Sequence, residues 1–186
     1  MLLSLVIGCW SCNGGAPGKE QGRGEEMGQG KGRVDTTVEY IDSGIYSNGT
    51  AARKEYSLPD GTKLIMHAGT VVRLSKVFDE KDRDVWFEGE AIFQVNGDKR
   101  DSFRIYTRNL TIVGMGARFR VDARAGEAGE EVDILSGKLE VMKSYHSDTD
   151  NEPEIIKAGE MVMINRDIDL MEKEKMDGSE LKGWKE

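Results

Sequence analysis

The chain has 186 residues, of which 38% are hydrophobic, and a formal net charge of −8. This length favours one folded domain with a single core. Residues 1–33 carry four basic and three acidic side chains, a net charge of +1, so the remainder carries −9. An acidic body repels phosphate backbones, which argues against a nucleic-acid partner. No stretch reaches the roughly 18 apolar residues that a membrane-spanning helix needs.

The first residues are typical of a lipoprotein signal. The apolar run Met1–Gly8 leads directly into Cys9, and Val6-Ile7-Gly8-Cys9 has the aliphatic, aliphatic, small, cysteine order of a bacterial lipobox. In such a signal the cysteine becomes the acylated first residue of the mature protein, so we expect Cys9 to carry a lipid anchor. The run has no basic segment before it and is short for a signal peptide, so a truncated transmembrane remnant is the alternative.

A second cysteine, Cys12, follows Cys9 with the spacing of a C-x-x-C motif. A zinc site needs a second pair of ligands, and His67 and His146 are not spaced as one. No βαβ pattern surrounds the cysteines to indicate redox chemistry. The sequence therefore predicts no metal and no other cofactor.

The sequence divides into four parts. Residues 1–12 form the predicted signal and anchor, and residues 13–33 are Gly-rich, charged and almost free of apolar side chains. Such a segment cannot bury enough surface to offset its ordering entropy, which predicts a flexible tether. Residues 34–172 form the predicted β domain, and residues 173–186 form a charged C-terminal tail.

Short runs with β-type alternation, separated by turn signals, fill the predicted domain. Pro59-Asp60-Gly61 is a tight reversal, and Ser136-Gly137 joins the arms of a hairpin. About a dozen short strands without a long 3.6-residue period predict an all-β, antiparallel sandwich or roll. A short helix is possible only between Leu170 and Trp184. In chain order the candidate strands are residues 38–41, 54–58, 62–67, 70–75, 85–95, 102–107, 117–123, 131–135, 138–142 and 161–164.

The run Val85–Val95 is the predicted central strand. Apolar side chains occur on both of its faces, which is typical of a strand that is covered on both sides. Gly89 stands between two glutamates in its middle. Glycine allows the strand to bend or bulge there without ending its pairing.

A set of short motifs follows in a fixed order between residues 54 and 165. It resembles the FecR family, the periplasmic sensor domains of anti-sigma factors, in the version of Bacteroidetes-type bacteria. The motifs include Leu58, Pro59, Asp60, Gly61, Thr62, Arg83, Asp84, Val85, Gly89, Glu90, Ala91, Phe93, Val95, Phe103, Gly116, Phe119, Val121, Gly137, Gly159 and Glu160.

The resemblance implies a non-enzymatic module that regulates TonB-dependent transporter genes for iron-siderophore or glycan uptake through protein–protein contacts. The implied partner is the signalling domain of an outer-membrane transporter or another regulator subunit. The implied location is the periplasmic side of the cell envelope, with a lipid anchor in the membrane. Family members typically have a cytoplasmic sigma-binding segment and a transmembrane helix before this domain, and the sequence contains neither. We therefore expect that the protein does not itself sequester a sigma factor.

Catalytic residues are not evident. Glu88 and Glu90 would share one strand face as a carboxylate pair, but the family pattern explains both as strand and turn residues. No Cys–His or Ser–His–Asp arrangement can be nominated. The protein is predicted not to be an enzyme.

Two functions stay open at this point. The first is a signalling module that receives a protein partner by strand addition or by packing on a sheet face. The second is a carbohydrate-binding or structural lipoprotein on the same scaffold. An exposed aromatic platform would favour the second. Trp86 and Tyr106 are its plausible members, and Trp86 is expected to be buried.

Overall fold

The computed structural model describes residues 44–99 and 101–177. In these ranges the chain forms thirteen β-strands and no helix, which confirms the predicted all-β fold. The strands are β1 (Ile45–Ser47), β2 (Lys54–Ser57), β3 (Lys63–Met66), β4 (Val71–Leu74), β5 (Asp84–Gln94), β6 (Phe103–Tyr106), β7 (Leu110–Gly114), β8 (Arg118–Ala123), β9 (Gly129–Ser136), β10 (Lys138–Lys143), β11 (Glu154–Lys157), β12 (Glu160–Asn165) and β13 (Leu170–Lys175).

The strands form two layers that share the long strand β5. Sheet A has the order β2-β3-β5-β8-β9-β12-β13, and sheet B has the order β1-β4-β5-β6-β7-β10-β11. Every neighbouring pair is antiparallel except β5 with β6, which is parallel. The prediction of a purely antiparallel arrangement therefore fails at this one pair.

The inner faces of the two sheets enclose one hydrophobic core. Phe93 of β5 stacks on Phe119 of β8, with ring centroids 5.4 Å apart, and meets Phe87 edge to face at 5.3 Å. Alternating strand residues supply the rest of the core, because successive side chains point to opposite faces of a sheet. Its other fully buried members include Leu64, Met66, Val72, Val85, Ala91, Ile105, Leu110, Val121, Val132, Ile134, Val141, Ile156 and Val162.

Strand β5 passes from sheet B to sheet A at Gly89. Up to Glu88 it pairs with β4, and from Ala91 onward it pairs with β3. Between these pairings the Thr70 hydroxyl donates a hydrogen bond to the Glu90 carbonyl (2.8 Å) and accepts one from the Glu90 N–H (3.0 Å). Gly89 has φ +117°, and the absence of a side chain lets Thr70 approach this closely. The strand bends without losing its hydrogen bonds, as the sequence predicts.

The C-terminal segment differs from its prediction. Leu170–Lys175 is strand β13, not a helix, and pairs along its whole length with β12. Met171 packs against the core, which favours the extended conformation over the helix that the Glu and Lys side chains would tolerate. Residues 178–186 lie outside the described part of the chain, as do the predicted signal, tether and first strand (38–41).

Candidate functional site

The Leu-Pro-Asp-Gly-Thr motif is built around a buried carboxylate. Asp60 Oδ2 accepts hydrogen bonds from Arg83 Nε (2.9 Å) and Nη2 (2.6 Å). The Thr62 N–H and hydroxyl donate to the two oxygens of the same carboxylate, and Asn96 Nδ2 donates to the Asp60 carbonyl at 2.7 Å. Because Arg83 precedes β5 and Asn96 follows it, the motif ties the β2–β3 turn to both ends of the central strand.

Arg83 is itself buried and fully engaged. Its Nη1 donates to the Asp101 carbonyl (2.8 Å) and its Nη2 to the Asn96 carbonyl (3.0 Å). The guanidinium also lies over the Phe103 ring, 5.3 Å from the centroid. A buried charge needs such a complete set of partners. Arg83 belongs to the charged run at residues 79–84, a pattern typical of a solvated loop tip, yet the structure buries it.

The other motif residues occupy structural positions. Leu58, Ala91, Phe93, Val95, Phe103, Phe119 and Val121 lie in the core. Gly61, Gly89, Gly116, Gly137 and Gly159 all have positive φ, a conformation that favours glycine. Glu160 accepts a hydrogen bond from the Lys157 N–H across the β11–β12 turn. The motifs thus describe the scaffold, and they leave the outer faces of both sheets to be considered.

The outer face of sheet B carries two stacked aromatic side chains. Trp86 of β5 and Tyr106 of β6 are register partners, with ring centroids 5.6 Å apart and planes at 27°. Trp86 is 48% exposed, so the expectation that it is buried is wrong. Two further outward-facing residues of β5 are exposed, Glu88 on sheet B and Gln94 on sheet A, so this strand is not covered on both sides.

Polar contacts hold the aromatic pair in place. The Tyr106 hydroxyl bonds to Asp84 Oδ2 at 3.2 Å, and Arg104 Nη1 lies 3.3 Å from Asp84 Oδ1. Partial burial raises the pKa of Tyr106, and the negative charge of Asp84 adds to that rise. The phenol therefore stays protonated and serves as a fixed hydrogen-bond donor.

The aromatic pair belongs to a longer row of side chains. Register pairs across six neighbouring strands place one residue from each strand side by side on the outer face of sheet B. We call this set the aromatic row. Its members are Ile45, Arg73, Trp86, Tyr106, Thr111 and Met142.

The outer face of sheet A has a different character, because its charged side chains are paired with one another. Arg120 of β8 donates to Glu90 (3.0 Å), Asp122 (3.0 Å), Asp133 (2.6 Å) and Glu131. We call these five residues the Arg120 cluster. Arg124 extends it by pairing with Glu90 and Asp122, and His67 Nδ1 lies 3.1 Å from Glu90 Oε2.

The protonation states of the Arg120 cluster follow from burial and charge. Burial alone would raise the pKa of Glu90, but the hydrogen bond from Arg120 and the neighbouring positive charges lower it. Burial raises the pKa of Asp133 to about 6; the charge of Glu131 adds to that rise and Arg120 opposes it. Burial lowers the pKa of His67 despite the neighbouring Glu90 carboxylate.

The predicted carboxylate pair does not act as a unit in this arrangement. Glu90 is bound by Arg120, Arg124 and His67, whereas Glu88 is exposed. A general acid or base needs a free carboxyl facing a substrate site, and Glu90 is committed to ion pairs.

A second polar cluster closes the loop between β10 and β11. Ser147 Oγ lies 2.8 Å from Lys143 Nζ and donates to Asp169 Oδ2 at 2.7 Å. Lys143 also pairs with Asp169 at 3.1 Å. A lysine in an ion pair is a poor base for a serine nucleophile. The cluster therefore has a structural role, in which it connects this loop to the β12–β13 turn. Among residues 44–99 and 101–177 there is no grouping of side chains suited to a metal ion and no helix able to cross a membrane.

Comparison with known proteins identifies the domain. The family model described as "FecR protein" matches residues 45–140, which is 96 of the 186 residues. Crystal structures of a "putative anti-sigma factor" from Parabacteroides distasonis ATCC 8503, at 1.65 and 2.50 Å resolution, are similar to this chain with a TM-score of 0.66 and 28% identity. The similarity covers 75% of this chain and 63% of that one, so the chain spans less than two thirds of that protein's length. No curated protein matches the chain.

Proposed function

Because the chain belongs to the FecR family, we propose that it is a signalling domain of the bacterial cell envelope that acts through contacts with other proteins. The similarity to a structure described as an anti-sigma factor supports this role. We further propose that the signal controls genes of TonB-dependent transporters. The partner is then the signalling domain of an outer-membrane transporter or another regulator subunit, and Cys9 carries the lipid that anchors the protein.

The observation that carries the proposal is the exposed Trp86–Tyr106 pair on a FecR-type scaffold. Tryptophan and tyrosine dominate the binding energy of many protein interfaces, because each buries a large apolar area with few rotatable bonds. The motif residues of the family occupy turn and core positions, and Glu90 is held in ion pairs. What the described residues offer to another molecule is therefore surface, which supports a binding role over a catalytic one.

Two of the four outer strands are poorly suited to strand addition, which favours packing on a face. Strand β13 is an outer strand of sheet A, and four successive residues, Glu172 to Lys175, are charged. Charged side chains protect a strand edge from pairing with another chain. Strand β1, at an outer position of sheet B, has only three residues, and its Ser47 carbonyl already accepts a hydrogen bond from Tyr56. These edges give a partner strand little to pair with.

The proposal is tested by purifying the full, Cys9-bearing chain from envelopes of its native host and identifying the bound proteins by mass spectrometry. The mature N-terminus is analysed in the same sample. The proposal expects an outer-membrane transporter or a sigma regulator in the eluate and acyl chains on Cys9. An unacylated chain that begins at Met1 and elutes without a protein partner would contradict it.

A second candidate is saccharide binding, which the exposure of Trp86 favours. Sugars pack on the open faces of aromatic rings, and the outward face of each ring in the pair remains uncovered by the other ring. The inward faces are covered, because the two rings stack on each other. Titration of the tryptophan fluorescence with envelope glycans tests this candidate: saturation that Trp86→Ala abolishes would support it, and no change would exclude it.

A further inference from the structure

We propose that the protein partner docks on the outer face of sheet B along the aromatic row, with the Trp86–Tyr106 pair at its centre. We also propose that the partner presents an apolar strip with a carboxylate opposite Arg73. This inference rests on the proposed function, since it names the surface and the chemistry of the contact that the function requires. It follows from the dimensions, exposure, rigidity and charge of the row.

The aromatic row has the extent of a protein contact. It crosses six adjacent strands, and the strand spacing of about 4.8 Å makes it about 24 Å long. The flanking positions of the same face alternate between apolar side chains, at Val71, Val113 and Ile155, and charged ones, at Glu88, Arg104 and Glu140. A strip of this length with a partly charged border matches the centre and rim of a standard interface rather than a pocket for one small molecule.

Two of the five strongly exposed large apolar side chains among the described residues lie in the aromatic row. Ile45 is 46% exposed and Trp86 is 48% exposed, and they lie two strands apart in the row. The other strongly exposed large apolar side chains, Met115, Ile168 and Leu170, lie in or beside turns. Apolar side chains scattered singly are normal on a protein surface. Trp86 is not single, because it stacks on Tyr106, and Ile45 lies in the same row with Arg73 between it and Trp86.

The centre of the row is organised before any partner arrives. Trp86 stacks on Tyr106, the Tyr106 hydroxyl is bonded to Asp84, and Asp84 is paired with Arg104. Ordering a free side chain on binding costs free energy. A pair that is already held in one conformation avoids most of that cost, which is the property expected of an interface hot spot.

Arg73 is the charged member of the aromatic row and sets the chemistry of the group that faces it. It is exposed, lies directly beside Trp86 in register, and forms none of the ion pairs found among the described residues. On sheet A, in contrast, Arg120 is surrounded by four carboxylates. A guanidinium next to an aromatic hot spot pairs well with a carboxylate in an interface that excludes water.

The experiment is site-specific photocrosslinking of the full chain in its native host. Glu88→p-benzoylphenylalanine places the probe on β5 beside Trp86, on the outer face of sheet B. Gln94→p-benzoylphenylalanine places it on the same strand but on the outer face of sheet A. Both side chains are exposed, so neither substitution disturbs the core and the two variants are matched controls. Crosslinked products are identified by mass spectrometry.

The proposal expects a protein crosslink from position 88 that is absent from position 94. Combining the position 88 probe with Trp86→Ala should lower the crosslink yield at least tenfold, and with Arg73→Glu severalfold, while the circular dichroism spectrum stays unchanged. Trp86→Phe should keep part of the yield, because an aromatic ring remains.

Several outcomes would overturn the proposal. A partner captured only from position 94 would place the contact on sheet A and leave the proposed function intact. A crosslinked homodimer from position 88 would assign the row to a second copy of the chain, and a glycan adduct there would assign it to saccharide. No protein partner from either position, together with none in the envelope purification, would contradict the proposed function itself.

Discussion

Asp60 and Arg83 form a buried ion pair. Its contribution to the free energy of unfolding depends on whether one member of the pair is removed or both are replaced. Both side chains are almost inaccessible to solvent, and the pair is completed by hydrogen bonds from Thr62 and to backbone carbonyls. Replacing such a pair by apolar groups can be neutral, but removing one member leaves a buried charge without a counter-charge. The pair therefore makes the β2–β3 turn and the ends of β5 depend on one another.

Removing the carboxylate should destabilise the domain severely. We expect Asp60→Ala to lower the free energy of unfolding by about 3 to 5 kcal/mol, because Arg83 stays buried and unpaired. Urea denaturation followed by circular dichroism measures this change. Glu154→Gln is the control: it breaks an exposed pair with Lys173 at 2.8 Å and should cost less than about 1 kcal/mol. Equal losses for the two variants would contradict the structural role of Asp60.

The raised pKa of Asp133 predicts that the free energy of unfolding depends on pH in a specific range. Its pKa is raised to about 6 in the folded protein by burial and by the charge of Glu131, against about 3.9 in an unfolded chain. Between these values the folded state binds more protons than the unfolded state, so the contribution of Asp133 to stability falls as the pH rises from about 4 to about 6. The destabilisation is complete by about pH 7 and is absent at about pH 3.

Asp133→Asn removes that titration. Relative to the unmodified protein, the variant should lose less stability between pH 4 and pH 6, and the two curves should run parallel above pH 7. Urea unfolding at intervals of half a pH unit measures the curves, and carbon NMR of the labelled carboxyl measures the pKa directly. A carboxyl pKa near 4 with parallel curves throughout would show that burial does not perturb Asp133.

The solvent exposure of the Trp86 ring could not be predicted from the sequence. Apolar side chains at both odd and even positions of Val85–Val95 predict a strand covered on both faces. In the structure the odd positions face the core, while on the other face Ile92 is buried and Trp86 is exposed. Alternation identifies the strand but not which sheet lies over each face. Exposure of a single aromatic ring depends on neighbouring strands that the local sequence does not specify.

At the scale of the elements, the bend of β5 organises the fold. One strand serves both sheets because Gly89 takes a positive φ and the Thr70 hydroxyl satisfies both backbone groups of Glu90. Without these two features the strand would have to end, and its unpaired backbone groups would be buried at a cost. The position of a glycine between two apolar runs was a sufficient signal for the bend. The role of Thr70 was not readable, because its contact spans 20 residues.

The bend is tested by adding one methyl group. A Cβ at position 89 would lie 2.6 Å from the Thr70 Cα and Oγ1, so Gly89→Ala must displace backbone as well as adopt an unfavourable φ. Gly126→Ala is the matched control, with φ +85° and no atom within 4 Å of the added Cβ. The control should cost about 1 to 2 kcal/mol, and Gly89→Ala clearly more. Thermal and urea unfolding give both values; equal costs would show that Thr70 does not require a glycine there.

The strands themselves were predictable to different degrees. Nine of the ten candidate strands overlap strands in the structure, and the tenth lies outside the described residues. Strands β1, β7, β11 and β13 were not predicted as strands. They have three to six residues, and β13 has the composition of an exposed helix. Pairing with a neighbouring strand decides their conformation, and that information is not local.

At the scale of the whole molecule, the two outer faces separate two roles. The outer face of sheet A holds its charged side chains in ion pairs with one another, through the Arg120 cluster. The outer face of sheet B leaves Trp86, Ile45 and Arg73 exposed. The sequence motifs identified the family, because they mark core and turn positions, but they could not locate the binding surface. A surface is defined by register across six strands, which becomes visible only in the folded chain.

We propose that this domain transmits a signal by binding a protein through the outer face of sheet B. The most direct test measures transcripts of the transporter genes in the native host after replacing the chain with Trp86→Ala, and with Gln94→Ala as the control on the opposite face. We expect Trp86→Ala to change transcript levels as much as deletion of the gene does, at an unchanged protein level. We expect Gln94→Ala to have no effect on transcript levels. Transcripts that respond to deletion but not to Trp86→Ala would contradict it.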